Sequence, residues 1–485
     1  MSAPIADFAP YAPGDDPSLL PATALSEAIA ARRLSPVTLC EALLARIAAD
    51  EPRLHAFTEV YAADATLAAE AADRAIRSGH ALGPLHGIPV ALKDLVELEG
   101  LTVAGGSAIF RGRIATRTAT IARRMIAQGM IVLGKTHTVE FAHGGWGTNQ
   151  HMGTPWNPWD PEVARTPGGS SSGSGVAVAA RMAPWAIGTD TGGSVRLPAS
   201  FCGITGLKAT IGRISTHGVL PLSATLDTPG PMARTVRDAA ILFGVLHGPD
   251  PLDPLTHGAP ACDPTATLER GVRGLRLARM PDDERADVDP EVLAAYDRSL
   301  DLLGSLGAEI VPFAMPRRFA DYVAYSAIMQ AEAYALYGRL AEDPATAMGD
   351  ATRRKLLAAA SITARDYLAA RALVAEMKAE MARAMEGIDA LLTPTTLTVA
   401  IPLSEVDEDS VPSRFTRFVN LLEMCALSLP NGFTARGLPC SLQVACRGWD
   451  EALALRIGQA AQGATDWHLR APPTPATDGF RSTPR

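Results

Sequence analysis

Two short turns in this chain set glycines beside a serine: Gly168-Gly169-Ser170 and Gly192-Gly193-Ser194, both within residues 166–210. A serine on a sharp glycine turn can offer its hydroxyl to a carbonyl carbon while backbone N–H groups converge on the oxyanion. That is the requirement of covalent acyl transfer. Either turn alone also fits a flexible Gly/Ser loop. Two in one stretch, the second reading Asp190-Thr191-Gly192-Gly193-Ser194-Val195-Arg196, argue for chemistry. A serine hydroxyl is a weak nucleophile until a base takes its proton. The ten histidines are scattered and neither turn forms a Gly-x-Ser-x-Gly elbow, so a Ser-His-Asp arrangement fits poorly. A lysine can serve instead where burial disfavours its charged form. Lys93 ends the apolar run 88–92, and with both serine turns downstream it is the best general-base candidate. Taken by itself it would read as an edge charge paired with Asp94. Nucleotide readings fail: Gly168 and Gly173 have P-loop spacing, but Ser174 stands where lysine is needed. The run Gly173-Ser174-Gly175 lacks the third small residue of a dinucleotide fingerprint.

The elements that must hold these residues follow from periodicity. The run 88–92 predicts a buried strand, residues 118–128 a helix and 130–133 a second strand, together a β–α–β unit. Apolar spacing predicts helices from Ala22, from Pro36 after the start signal Ser35-Pro36, and over 62–78. Downstream, a strand is expected over 272–278, a helix over 290–306 stopped by Gly307, and strands over 309–312 and 389–394. Residues 415–430, 441–445 and 450–462 complete a strand–helix core. Residues 317–385 read as mostly helical, an insert able to cap a pocket. Residues 1–20 read as a loose N-terminal arm and 471–485 as a Pro/Thr-rich flexible tail. Between them, 21–465 is expected to form one α/β domain, a large mixed β-sheet flanked by α-helices.

The stretch 166–210 resembles the signature of the amidase signature family, serine hydrolases that cleave carboxamides with a Ser–Ser–Lys triad. The resemblance extends upstream to Gly87-Ile88-Pro89-Val90-Ala91-Leu92-Lys93-Asp94. It continues through Gly134-Lys135-Thr136, Asn157-Pro158, Gly203-Ile204-Thr205-Gly206-Leu207-Lys208, Gly437-Leu438-Pro439 and Asp450-Glu451. Ala209 departs from the proline the family commonly has there. The resemblance implies Ser194 as nucleophile, Ser170 as a bridging serine on a cis peptide bond, and Lys93 as base. It also implies an oxyanion hole from the backbone N–H groups of Thr191, Gly192, Gly193 and Ser194. The residues His143, Gly144 and Gly145 fit either a substrate-facing wall or a tight turn, and the resemblance implies that their segment lines the acyl pocket. Ser171 and Ser172 either support Ser170 by hydrogen bonding, Ser171 then bordering the substrate, or are solvated. Arg196 is expected to orient the turn by pairing with Asp190 or a backbone carbonyl. The activity implied is hydrolysis of a carboxamide through a serine acyl-enzyme. The alternatives are a ureido, carbamate or aryl-amide hydrolase of the same family, the glutaminase subunit of a tRNA-dependent amidotransferase, and a non-catalytic binding protein. Intact Lys93, Ser170 and Ser194 argue against the last.

Composition sets the outer limits. With 485 residues, 47% of them hydrophobic, the chain can bury a large core. A net charge of −8 with no basic cluster argues against nucleic acid and anionic membranes as partners. The six cysteines form no Cys-x-x-Cys pair and no zinc spacing, and hydrolysis through a serine acyl-enzyme is expected to need neither a metal nor an organic cofactor. The first residues lack the pattern of a signal peptide, and Arg181 interrupts the longest apolar run. A cytoplasmic enzyme with a small-molecule amide substrate is expected, and a homodimer is the assembly left open.

Overall fold

The computed structural model describes residues 16–473. Its centre is one sheet of eleven strands. In chain order these are β1 (Phe57–Val60), β2 (Pro89–Lys93), β3 (Ile131–Thr136), β4 (Trp185–Asp190), β5 (Thr205–Lys208) and β6 (Thr228–Ala233). There follow β7 (Arg276–Arg279), β8 (Glu309–Pro312), β9 (Ala390–Pro394), β10 (Cys425–Phe433) and β11 (Pro439–Cys446). They lie side by side as β1-β3-β2-β4-β6-β5-β10-β11-β9-β7-β8. β2 runs parallel to β3 and β4, and β7 parallel to β8 and β9. The remaining neighbours are antiparallel. The sheet is therefore mixed, as expected.

Every residue of β2 and β4 is buried, which is why their sequences are continuous apolar runs without alternation. Because β2, β3 and β4 are parallel, their C-terminal ends share one edge. Lys93, Thr136 and Asp190 all sit there, at the edge where parallel α/β sheets place their ligands. The two serine turns lead into helices Ser172–Ala179 and Arg196–Cys202, both buried throughout. These helices pack on each other, and small residues permit it: a Cβ at Gly175 would stand 2.9 Å from Pro198 Cβ. The early helices match expectation at Ala22–Ala30, Pro36–Leu54 and Ala62–Arg77. Ser35 caps the second by accepting the Thr38 N–H at 3.1 Å, with Pro36 in the first turn.

Several expectations need correction. Residues 16–20 are not loose: Arg46 pairs with Asp16, and Arg234 donates to the carbonyls of Ser18, Leu19 and Leu20. The rest of the proposed arm (1–15) and of the tail (474–485) lies outside the described residues. The strand expected over 272–278 is Arg276–Arg279. β6 is central although its sequence, Thr-Pro-Gly-Pro-Met-Ala, reads as a turn. Pro229 and Pro231 stand two residues apart, so both missing donors face the same side of the strand. The ladder to β5 is correspondingly short, only Thr205↔Ala233 and Gly206↔Met232, whereas β4 pairs along the full length. Residues 317–385 are helical as expected, as Phe319–Ala324, Ala327–Glu342, Asp350–Ala358 and Ala364–Ala384. Among the described residues no helix is long and apolar enough to cross a membrane.

Candidate active site

Lys93 emerges from the end of β2 fully buried. Its Nζ donates to Ser170 Oγ at 2.8 Å and to Thr189 Oγ1 at 2.8 Å. Asp94, the alternative partner, turns away to Lys135 (4.0 Å) and to the Ala104 N–H. Among the described residues no carboxylate forms an ion pair with Lys93. Burial accordingly lowers its pKa from 10.5 to about 7, against the opposing pull of Asp227 and Asp190. A neutral amine at physiological pH is the form able to accept a proton.

Ser170 follows a cis Gly169–Ser170 peptide bond, as the resemblance implied. The loop is tied down from both sides: Gly169 N–H donates to Gly145 O (2.8 Å), and Ser170 O accepts from Val139 N–H (3.1 Å). Only glycine fits at 169, where a Cβ would meet the Gly147 nitrogen at 2.7 Å. Ser171 N–H donates to Ser194 O (3.3 Å) and so joins the two serine loops. The side chains of Ser171 and Ser172 do neither of the things expected. Both are buried, Ser171 Oγ exchanging bonds with the Thr189 backbone and Ser172 Oγ donating to His137 O. Neither bonds Ser170, and Ser171 does not line the cavity.

Ser194 lies on the second turn, 7% exposed, in the wall of a cavity of about 230 Å³. Asp190, at the end of β4, organises that turn. Its carboxylate accepts from the N–H groups of Gly193 (2.8 Å), Val195 (3.1 Å) and Arg196 (3.4 Å). It also takes a two-pronged bond from the Arg196 guanidinium, Nε and Nη2 each at 3.0 Å, and one from Asn420 Nδ2 at 2.8 Å. Burial would push this carboxyl up, but Arg196 and Asn420 hold it well below the usual carboxylate range. The expected Arg196–Asp190 pair is thus present. Arg196 also reaches Thr416 O, Gln443 Oε1 and Asn420 Oδ1, residues no sequence signal had linked to the turn. Thr416 Oγ1 donates to Gly192 O at 2.7 Å. Gly193 has φ +135°, and a Cβ there would lie 2.4 Å from Thr416 Oγ1.

One correction concerns the oxyanion donors. Gly193 N–H is engaged by Asp190 and Gly193 does not border the cavity, so it supports the turn. Thr191, Gly192 and Ser194 do border it. Thr191 also donates its hydroxyl to Asp227, whose carboxyl burial pushes up.

His143, Gly144 and Gly145 line the same cavity. Burial, with Lys355 and Arg417 nearby, lowers the His143 pKa to about 3 and keeps the ring neutral. Among the described residues its Nδ1 has no partner, so no carboxylate there orients the imidazole from that side. The helical region 317–385 contributes Val323, Ser326, Met329, Gln330 and Lys355 to the wall. Among the described residues no group of three His, Cys, Asp or Glu side chains could hold a metal ion.

The family model described as Amidase matches residues 38–455. The glutamyl-tRNA(Gln) amidotransferase subunit of Chloroflexus aggregans is 36% identical over 480 residues, covering 93% of this chain and 98% of that protein. The peptide amidase of Stenotrophomonas maltophilia superposes with a TM-score of 0.81 at 30% identity, covering 97% of this chain and 100% of that one. A chain of a vestigial complex described as revealing the origins of an s-triazine catabolic enzyme gives a TM-score of 0.86 at 30% identity. It covers 92% of this chain and 98% of that one. Matched in sequence and in fold over almost its whole length, the chain belongs to the amidase signature family of amide-hydrolysing enzymes.

Proposed function

We propose that the chain hydrolyses a carboxamide through an acyl-enzyme on Ser194, with Ser170 as proton relay and Lys93 as base. The observation that carries this reading is the buried Lys93 Nζ, 2.8 Å from Ser170 Oγ and with no ion-paired carboxylate among the described residues, while Ser194 on the neighbouring turn borders the cavity. In acylation Ser194 Oγ attacks the carbonyl carbon and passes its proton to Ser170 Oγ, whose own proton goes to neutral Lys93. The carbonyl oxygen, now negative, is met by the backbone N–H groups of Thr191, Gly192 and Ser194. Each such donor is worth about 3–4 kcal/mol of barrier. Return of the proton through Ser170 to the leaving nitrogen breaks the C–N bond. Water then repeats the sequence on the ester and frees the acid. Thr189, bonded to Lys93, holds the amine towards Ser170.

Ser194→Ala is expected to abolish turnover in a folded protein. A fluorophosphonate should modify Ser194, and an adduct mapped to Ser170 would reverse the roles. A second reading, the glutaminase subunit of a tRNA-dependent amidotransferase, is favoured by the 36% identity to such a subunit over nearly its full length. Turnover of a simple amide by the chain alone decides against it.

A further inference from the structure

Three residues that line the cavity each carry a buried polar atom with no hydrogen-bond partner among the described residues: Arg417 Nε, His143 Nδ1 and Ser413 Oγ. Native proteins leave few such atoms, and three around one cavity call for a bonding group from outside the chain. Arg417 is the strongest of the three. It is 7% exposed, and among the described residues its side chain makes one contact of hydrogen-bond type, Nη1 to Met329 Sδ at 3.4 Å. Burial lowers its pKa only to about 10, so it remains a cation at neutral pH. Among the described residues Arg417 forms no ion pair; Asp190 is the anion that acts on it, and the oxygens of Asp190 already serve Gly193, Val195, Arg196 and Asn420. A buried guanidinium without an anion is costly unless one arrives with the substrate. Its place is also telling, since a Cβ on Gly192 would stand 2.9 Å from Arg417 Cζ, against the nucleophile's own turn. Lys355, in the same wall, adds positive charge, although Glu408 and Asp409 partly balance it.

We propose that Arg417, with Ser413 and His143 beside it, forms a carboxylate subsite, so that the amide hydrolysed at Ser194 carries a free carboxylate. The proposal rests on the acyl-enzyme reading and adds the substrate class to it. A planar fork of N–H donors matches a carboxylate better than it matches any neutral group. A cavity of about 230 Å³ suits a short amido acid.

Protection of Ser194 against a fluorophosphonate tests this whether or not a ligand is turned over. Malonamate, succinamate and glutaramate are compared with their neutral methyl-ketone twins acetoacetamide, 4-oxopentanamide and 5-oxohexanamide. At least one acid should protect on the order of 100-fold more tightly than its twin, the worth of charge-assisted hydrogen bonds. In Arg417→Met the ratio should fall below about 5-fold, with Arg417→Lys between, because charge survives there without the fork. If Arg417→Met does not fold, the wild-type ratio and Arg417→Lys decide. Equal protection by acids and twins in the wild type, or no protection by any acid, overturns the subsite. So does a loss in Arg417→Met shared equally by acid and twin, which would make Arg417 a support of the turn. Failure of Ser194 to label in the wild type would instead sink the acyl-enzyme reading.

Discussion

Replacing Lys93 with methionine should change how stability depends on pH, and the size of the change follows from the burial of the amine. In the unfolded chain a lysine titrates near 10.5, whereas in the fold burial brings Lys93 to about 7. Between these values the unfolded state binds the proton and the folded state does not. Wild-type stability must therefore rise with pH across this window, by about 1.4 kcal/mol per pH unit. Above the unfolded value the penalty is gone, and below about 7 it is at its full size. Lys93→Met has no such group. It also loses the bonds to Ser170 and Thr189, but that loss is nearly independent of pH and shifts the difference without tilting it. Urea unfolding of both proteins at steps from about pH 7.5 to about 9.5 should show the wild type gaining about 3 kcal/mol on the variant. A flat difference would mean that Lys93 keeps an ordinary pKa, or a raised one as a paired ammonium, since both states then hold the proton throughout this range. That result refutes burial of a neutral amine.

Two further outcomes bear on the nucleophile's turn. Asp190→Asn leaves the Arg196 guanidinium buried without its counter-charge and should cost about 3–5 kcal/mol in urea unfolding, where a loss under about 1 would show the pair to be dispensable. Gly193→Ala places a methyl against Thr416 Oγ1 at a positive φ, so kcat/KM for an amide should drop by about 100-fold while the thermal midpoint moves by a few degrees, and unchanged kinetics would show that the turn tolerates displacement.

What the sequence made legible was local. β2 and β8 could be read because an apolar run and flanking turn signals lie within a few residues, and the Asp190–Arg196 pair because its members are six apart in one turn. β6 was not, since its two prolines carry the signature of a turn and only its neighbours reveal that the missing donors face the short ladder. The engagement of Gly193 N–H by Asp190 also depends on how the turn closes, which the glycine pair leaves free. Thr416, Arg417, Asn420 and Gln443 come to the site from more than two hundred residues downstream, with no motif around them. Thr189 lay beside the recognised turn yet gave no signal, because a threonine at a strand end is usually there for packing.

The account turns on Lys93 acting as a base through Ser170, and the pH dependence of Ser194 acylation tests it most directly. Acylation by an activated p-nitrophenyl ester should rise with pH through an apparent pKa near 7 in the wild type, the value burial gives the amine. In folded Lys93→Ala the rate should fall by about 100-fold or more and lose that rising limb. A folded Lys93→Ala that keeps the limb with the same apparent pKa would contradict the mechanism.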